Sequence, residues 1–115
     1  MDNKDIVAII AAGNNSKAPS GGETRVPVQG SEPVITPENN SYYQCGTITS
    51  LTVTSSPATG AWSVEFTSGA TPTTTTFPAT ILGLEDFVAE ENTIYEINVL
   101  DNRAVVGSWA VSANE

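Results

Sequence analysis

Four aromatic residues, Tyr42, Tyr43, Trp62 and Trp109, are the side chains of this sequence best suited to hold a ligand. Flat rings with a polar edge stack on sugars, as on the surface of a carbohydrate-binding module. At strand spacing the same rings more often fill a core, so their role turns on which face of a sheet each one occupies. The acidic stretch Glu85-Asp86 and Glu90-Glu91 is the second candidate, because carboxylates on a loop can hold Ca²⁺. It lacks the alternating Asp/Asn-Gly pattern of a dedicated calcium loop and is expected to be a solvated surface. Catalysis has less to stand on. The chain contains no histidine, so acid–base work would fall to carboxylates with displaced proton affinities, and no spacing in the sequence predicts such a pair. Cys45, the one cysteine, has no imidazole to serve as its base and is expected to be a small buried apolar residue. No catalytic residue, no cofactor and no metal is expected, and the chain is not expected to be an enzyme.

Charge excludes further classes. Four Lys and Arg against 13 Asp and Glu give a formal net charge of -9 over 115 residues. Binding to a phosphate backbone is electrostatically opposed, and so is adsorption to an anionic membrane surface, so neither nucleic acid nor membrane is expected as a partner. A lone cysteine closes no internal disulfide, which leaves the fold to stand on packing. No stretch approaches the roughly 20 apolar residues of a membrane span. The apolar run Ile6 to Ala12 is preceded by two acids and one lysine, without the basic start of a secretory signal. The chain is therefore expected to be made in the bacterial cytoplasm and to leave it, if at all, by lysis or within an assembly.

Three regions follow from composition. Residues 1–12 place Ile6, Ile9 and Ile10 at helical spacing with Val7 alongside. Asp2 or Asn3 stands as N-cap and Gly13 as terminator. A short helix with exposed isoleucines needs a partner, and Ile6, Val7, Ile9 and Ile10 are expected to anchor the chain on another protein or on copies of itself. Residues 13–40 are rich in proline and glycine and predict an extended arm or linker.

Residues 41–115 are strand-rich. Thr47 to Thr54 alternates Leu51 and Val53 with threonines, and Trp62, Val64 and Phe66 alternate with Ser63, Glu65 and Thr67, which turns an aromatic face inward. Thr73 to Thr76 suits an edge strand, since Pro72 and Pro78 bar it from a central position. Residues 79–91 are expected to connect, with one helical turn at Leu84 to Ala89. Asn92 to Val111 predicts a β-hairpin, Tyr95, Ile97 and Val99 sharing one face, closed by a three-residue loop Asp101-Asn102-Arg103 through a type I turn and a left-handed residue. Strands and turns alternating every eight to twelve residues predict an all-β fold, a small antiparallel sandwich or barrel.

Three phrases carry a resemblance: SYYQCGTITSLTVT (41–54), AWSVEFTSGATPTTTTFPATI (61–81) and NTIYEINVLDNRAVVGSWA (92–110). Together they resemble the C-terminal β-domain of small virion proteins encoded by phages and prophages of gut anaerobes. In that family a variable N-terminal arm, sometimes collagen-like, precedes the domain. The arm here carries no collagen-like repeats. The resemblance implies a structural or fibre-like role on a capsid, neck or tail, as a homotrimer, with residues 1–40 docking on other virion proteins. The alternative is a host-surface adhesion module whose aromatics bind glycan.

Overall fold

The computed structural model describes residues 23–111. Eight strands form there and no helix: β1 Thr24–Val28, β2 Val34–Ile35, β3 Ser41–Thr47, β4 Ser50–Val53, β5 Ala61–Ser68, β6 Thr74–Thr76, β7 Thr93–Leu100 and β8 Arg103–Ala110. The all-β expectation holds, but the antiparallel one holds only in part. A five-stranded sheet runs β1-β3-β5-β7-β8 and a three-stranded sheet runs β2-β4-β6. The pairs β1/β3, β3/β5, β2/β4 and β4/β6 are parallel, and only β5/β7 and β7/β8 are antiparallel.

The parallel pairs arise from winding. Up to β6 the chain alternates between the sheets, a strand in the large one followed by a strand in the small one. Each return lays a new strand beside the last in the same direction. Strands β1, β3 and β5 begin at residues 24, 41 and 61, so one circuit takes 17 and then 20 residues. That is enough for a crossover between parallel neighbours.

Residues 24–40 therefore belong to the fold and are not a linker. Thr24 donates its N–H to the carbonyl of Asn40 at 2.7 Å, which sets the parity of β1. The even residues bond to β3, and the odd ones, Arg25 and Pro27, turn outward at the sheet edge. A proline there forfeits no ladder bond, which is why TRVPV can be a strand despite a linker-like composition. The helix expected over residues 1–12 lies outside the described residues.

Thr47 to Thr54 is not one strand. It bends at Ile48 and Thr49, where the chain leaves the large sheet for the small one. A register shift between Gln44 and Thr47 prepares the bend, and Ile48, 1% exposed, plugs the corner. The next circuit's corner is built from buried hydroxyls that pair with backbone groups. Thr73 donates its N–H to Ser68 Oγ at 2.9 Å and its hydroxyl to the Ile48 carbonyl at 2.7 Å. Buried polar groups are tolerated only when paired in this way. Residues 79–91 form turns and no helical turn, and from Leu84 to Ala89 the one internal backbone bond runs from Phe87 N–H to the Leu84 carbonyl (3.3 Å). β6 is an edge strand, as its flanking prolines predict.

The core lies between the sheets. Trp62, Val64 and Phe66 of β5 and Tyr95, Ile97 and Val99 of β7 are buried in one cluster with Ile35, Leu51 and Val53 of the small sheet. Phe66 stacks on Tyr95 with centroids 5.4 Å apart, and Phe87 meets Tyr95 edge-on at 5.1 Å. The buried tyrosines also hold loops: the Tyr43 hydroxyl accepts the N–H of Glu38 (2.9 Å), and the Tyr95 hydroxyl accepts that of Glu90 (2.8 Å).

The hairpin differs from expectation in its turn. Leu100 pairs with Arg103, so the loop is Asp101-Asn102 alone, with φ of 50° and 63°. Two successive left-handed residues make a type I′ turn, whose twist matches that of the strands, and Asp and Asn are among the few residues that accept the conformation. Asp101 is fixed further by its Oδ1, which accepts the N–H of Gly60 at 2.8 Å.

Candidate functional site

The four aromatic candidates divide between the two faces of the large sheet. Tyr43 and Trp62 are in the core, 8% and 1% exposed, and meet edge-on with ring centroids 6.4 Å apart. The Trp62 indole N–H donates to Ser56 Oγ at 3.0 Å. Period-2 alternation places them inward, and neither can stack on a ligand. Tyr42 lies half-buried on the outer face, where Arg25 covers its ring at 5.1 Å. Trp109 is the exposed member, at 45%. It stands on the outer face of β8, three strands or roughly 14 Å across the sheet from β3, and further along its strand than Val105, the residue level with Tyr42. No two of the four make a shared stacking platform. The expected anchor, Ile6, Val7, Ile9 and Ile10, lies outside the described residues.

Around Tyr42 the outer face carries a cluster that spacing alone does not predict. Pairing of β5 with β7 sets Glu65 directly opposite Glu96. The Tyr42 hydroxyl lies between them, 3.0 Å from Glu65 Oε1 and 3.1 Å from Glu96 Oε2. Like charges directly opposite across a pair of strands repel. One hydroxyl proton serves one carboxylate at a time, so the triad is comfortable when a second proton sits on a carboxyl and is donated to the tyrosine oxygen. Consistent with this, Glu65 holds its proton above the ordinary glutamate range. Desolvation is the main cause, opposed by the Tyr42 hydrogen bond, reinforced by the charge of Glu96 and opposed by Arg25. Burial, then the two glutamates, likewise push the Tyr42 hydroxyl far above its usual value, so it stays a donor. Arg25 donates to Gln44 Oε1 at 3.2 Å, and beside the triad Ser63 donates to Asn98 Oδ1 at 2.6 Å.

These residues come from four strands, β1, β3, β5 and β7. Glu65 and Glu96 each occupy the polar position of an alternating strand, which is visible in the sequence, but only the register of β5 on β7 brings them together. Arg25 comes from the stretch whose composition predicts a linker. The arrangement can share a proton and absorb a change of pH. It lies on an open sheet face and encloses no substrate-sized space.

Cys45 is buried, and desolvation followed by the nearby Glu65 pushes its thiol up to about 11. At neutral pH it is therefore protonated and a poor nucleophile. Among the described residues no group of three or more Cys, Asp or Glu side chains is placed to hold a metal ion, and no helix is long and apolar enough to cross a membrane. An open recess of about 400 Å³ lies against Phe77, Pro78, Ile81, Leu84 and Phe87, with Glu85 its one charged residue. The Glu85 carboxylate turns back to accept the N–H of Gly83 at 3.0 Å. Thr75 and Thr76 also line that space. No family model, no curated protein and no solved structure matches this chain.

Proposed function

We propose that this chain is a structural protein that works by assembly: a bacteriophage virion accessory protein, a decoration or short fibre of capsid, neck or tail, that docks through its N-terminal arm and displays the β-domain. The observation that supports this reading is the resemblance over 41–110, whose three phrases run through strands β3 to β8. The likeness therefore lies in the scaffold. A scaffold needs burial and register, not a reactive group, and the residues of the three phrases serve mainly those two ends. Catalysis forms no part of the proposal. The anchor is assigned to Ile6, Val7, Ile9 and Ile10, whose apolar side chains need a partner surface. The trimer implied by the resemblance has no surface among the described residues that argues for it, whereas a two-fold contact does.

Deletion of residues 1–20 is expected to leave the β-domain folded and to release the protein from phage particles, measured by its loss from purified virions. Retention of the truncated chain on particles would sink the anchor. The glycan-binding alternative rests on Trp109 alone, since Tyr43 and Trp62 are buried and Arg25 covers Tyr42. With Trp62 enclosed, a ligand-dependent change in tryptophan fluorescence would have to come from Trp109, and its absence across cell-wall glycans would remove that alternative.

A further inference from the structure

We infer that β8 is a self-pairing edge: two copies of this chain join antiparallel along β8, about a two-fold axis at Ser108, to fuse their five-stranded sheets into one of ten strands. The inference stands apart from the virion reading and rests on the geometry of one strand.

β8 is the last strand of the large sheet and has a neighbour on one side only. The parity of its hydrogen bonds is fixed at both ends. Val111 donates its N–H inward to the carbonyl of Asn92 at 2.9 Å, and Ala104 donates outward to the carbonyl of Leu82 at 2.9 Å. Odd residues from Arg103 to Val111 thus bond to β7, and even residues turn N–H and C=O to the edge. Leu82 bridges Arg103 and closes the edge at Ala104. From there on, Val106, Ser108 and Ala110 present their backbone groups outward, with no partner strand among the described residues. Such a row is a template for another strand.

The open segment is symmetric about Ser108, and this selects the occupant and the register. When the partner's strand runs antiparallel with Ser108 opposite its own counterpart, Val106 faces the partner's Ala110, and all three outward-turned residues of each copy are satisfied. On the outer face the same register sets Val105 against the partner's Val111 and Gly107 against the partner's Trp109. Val105, Trp109 and Val111 are 70%, 45% and 41% exposed, an apolar row that a monomer leaves in water. Gly107 has no side chain to obstruct an opposing indole. Its own nearest side-chain neighbour is the Trp109 ring, at 4.0 Å from where a Cβ would lie. A large aromatic across from a strand glycine is a stabilising cross-strand pair. Charge agrees with the choice. β8 has a single charged residue, Arg103, which falls outside the paired segment, so two chains of net charge -9 meet along a strip without carboxylates.

A contact of one strand is small by the standard of stable interfaces, so pairing is concentration-dependent. The test is the mass of the full chain in solution by light scattering over a range of concentrations, beside Ser108→Pro. The Ser108 N–H makes no bond within a single copy, so proline there spares the monomer while blocking the edge. The expected result is a rise to the mass of two chains for the parent and one chain throughout for S108P. Register is checked independently by crosslinking with oxidised glutathione. Ser108→Cys alone is expected to form a covalent dimer. Val105→Cys forms one only when mixed with Val111→Cys. Buried Cys45 does not compete. A parent mass of one chain at every concentration, a mass of three, an S108P that still pairs, or an S108C that does not crosslink each overturns the inference.

Discussion

The wound region from β1 to β6 and the closing hairpin of β7 and β8 bury their side chains in one core, yet they are specified in opposite ways. In the hairpin the information is local: alternation over eight residues, a turn of two residues that tolerate left-handed backbone, and partners adjacent in sequence. In the wound region paired residues are 17 to 24 positions apart, and what lies between contributes to the other sheet. The comparison teaches that the parallel sheets depend on closing long loops before any contact rewards them, whereas the hairpin can form early and offer β5 a template. β5 joins the two modes, parallel to β3 on one side and antiparallel to β7 on the other.

The sharpest way to break this picture is at β5. Trp62→Ala removes a fully enclosed indole and is expected to cost about 3–5 kcal/mol, measured by denaturant unfolding. It also leaves Trp109 as the only indole, a reporter on the hairpin. Unfolding followed by Trp109 fluorescence and by far-UV circular dichroism should coincide, and separate transitions would mean that the regions are not one cooperative unit.

A smaller effect is expected where the connecting loop clamps the hairpin. Gly83 has φ of +101°, and a Cβ there would lie 2.8 Å from the carbonyl oxygen of Ala104. Gly83→Ala is expected to destabilise by about 1–3 kcal/mol and to speed hydrogen exchange at the Ala104 amide. An unchanged Ala104 amide would show that the hairpin does not need the clamp.

The smallest effect concerns the carboxylate pair that ties β5 to β7. Because Glu65 holds its proton more tightly in the folded chain than in the unfolded one, its contribution is fully present below the ordinary glutamate range and is lost as pH rises through its raised value. Glu65→Gln should therefore be more stable than the parent at neutral pH, by up to about 1 kcal/mol. The gap should shrink toward acid pH in urea titrations, and a gap independent of pH would remove Glu65 as its source.

The same contrast explains what was legible in the sequence. The inward faces of β5 and β7 and the existence of the hairpin follow from period-2 alternation, and the edge position of β6 from Pro72 and Pro78. The winding leaves no such mark. The corner at Ile48 and Thr49 contains neither glycine nor proline, so Thr47 to Thr54 scans as one strand. β1 and β2 are short, the first containing Pro27 and the second preceded by Pro33, so their composition matches a linker. Glu65 and Glu96 are each visible as polar positions, but their contact depends on a register that no local signal sets. Arg25 could be placed beside Tyr42 only once β1 was known to be a strand.

Pro27, turned outward on β1, carries a consequence for how large an association of these sheets can become. A strand can be added to an edge only where donors and acceptors alternate, and at Pro27 the donor is missing. The small sheet offers only β2 and β6, two and three residues long, too little to hold a newcomer. Among the described residues, each copy thus has one edge that can be extended and others that cannot. Joining two copies uses up the extendable edge of both, and the product has nowhere left to grow. The same strand that in an open sheet would seed a filament here ends in a closed pair.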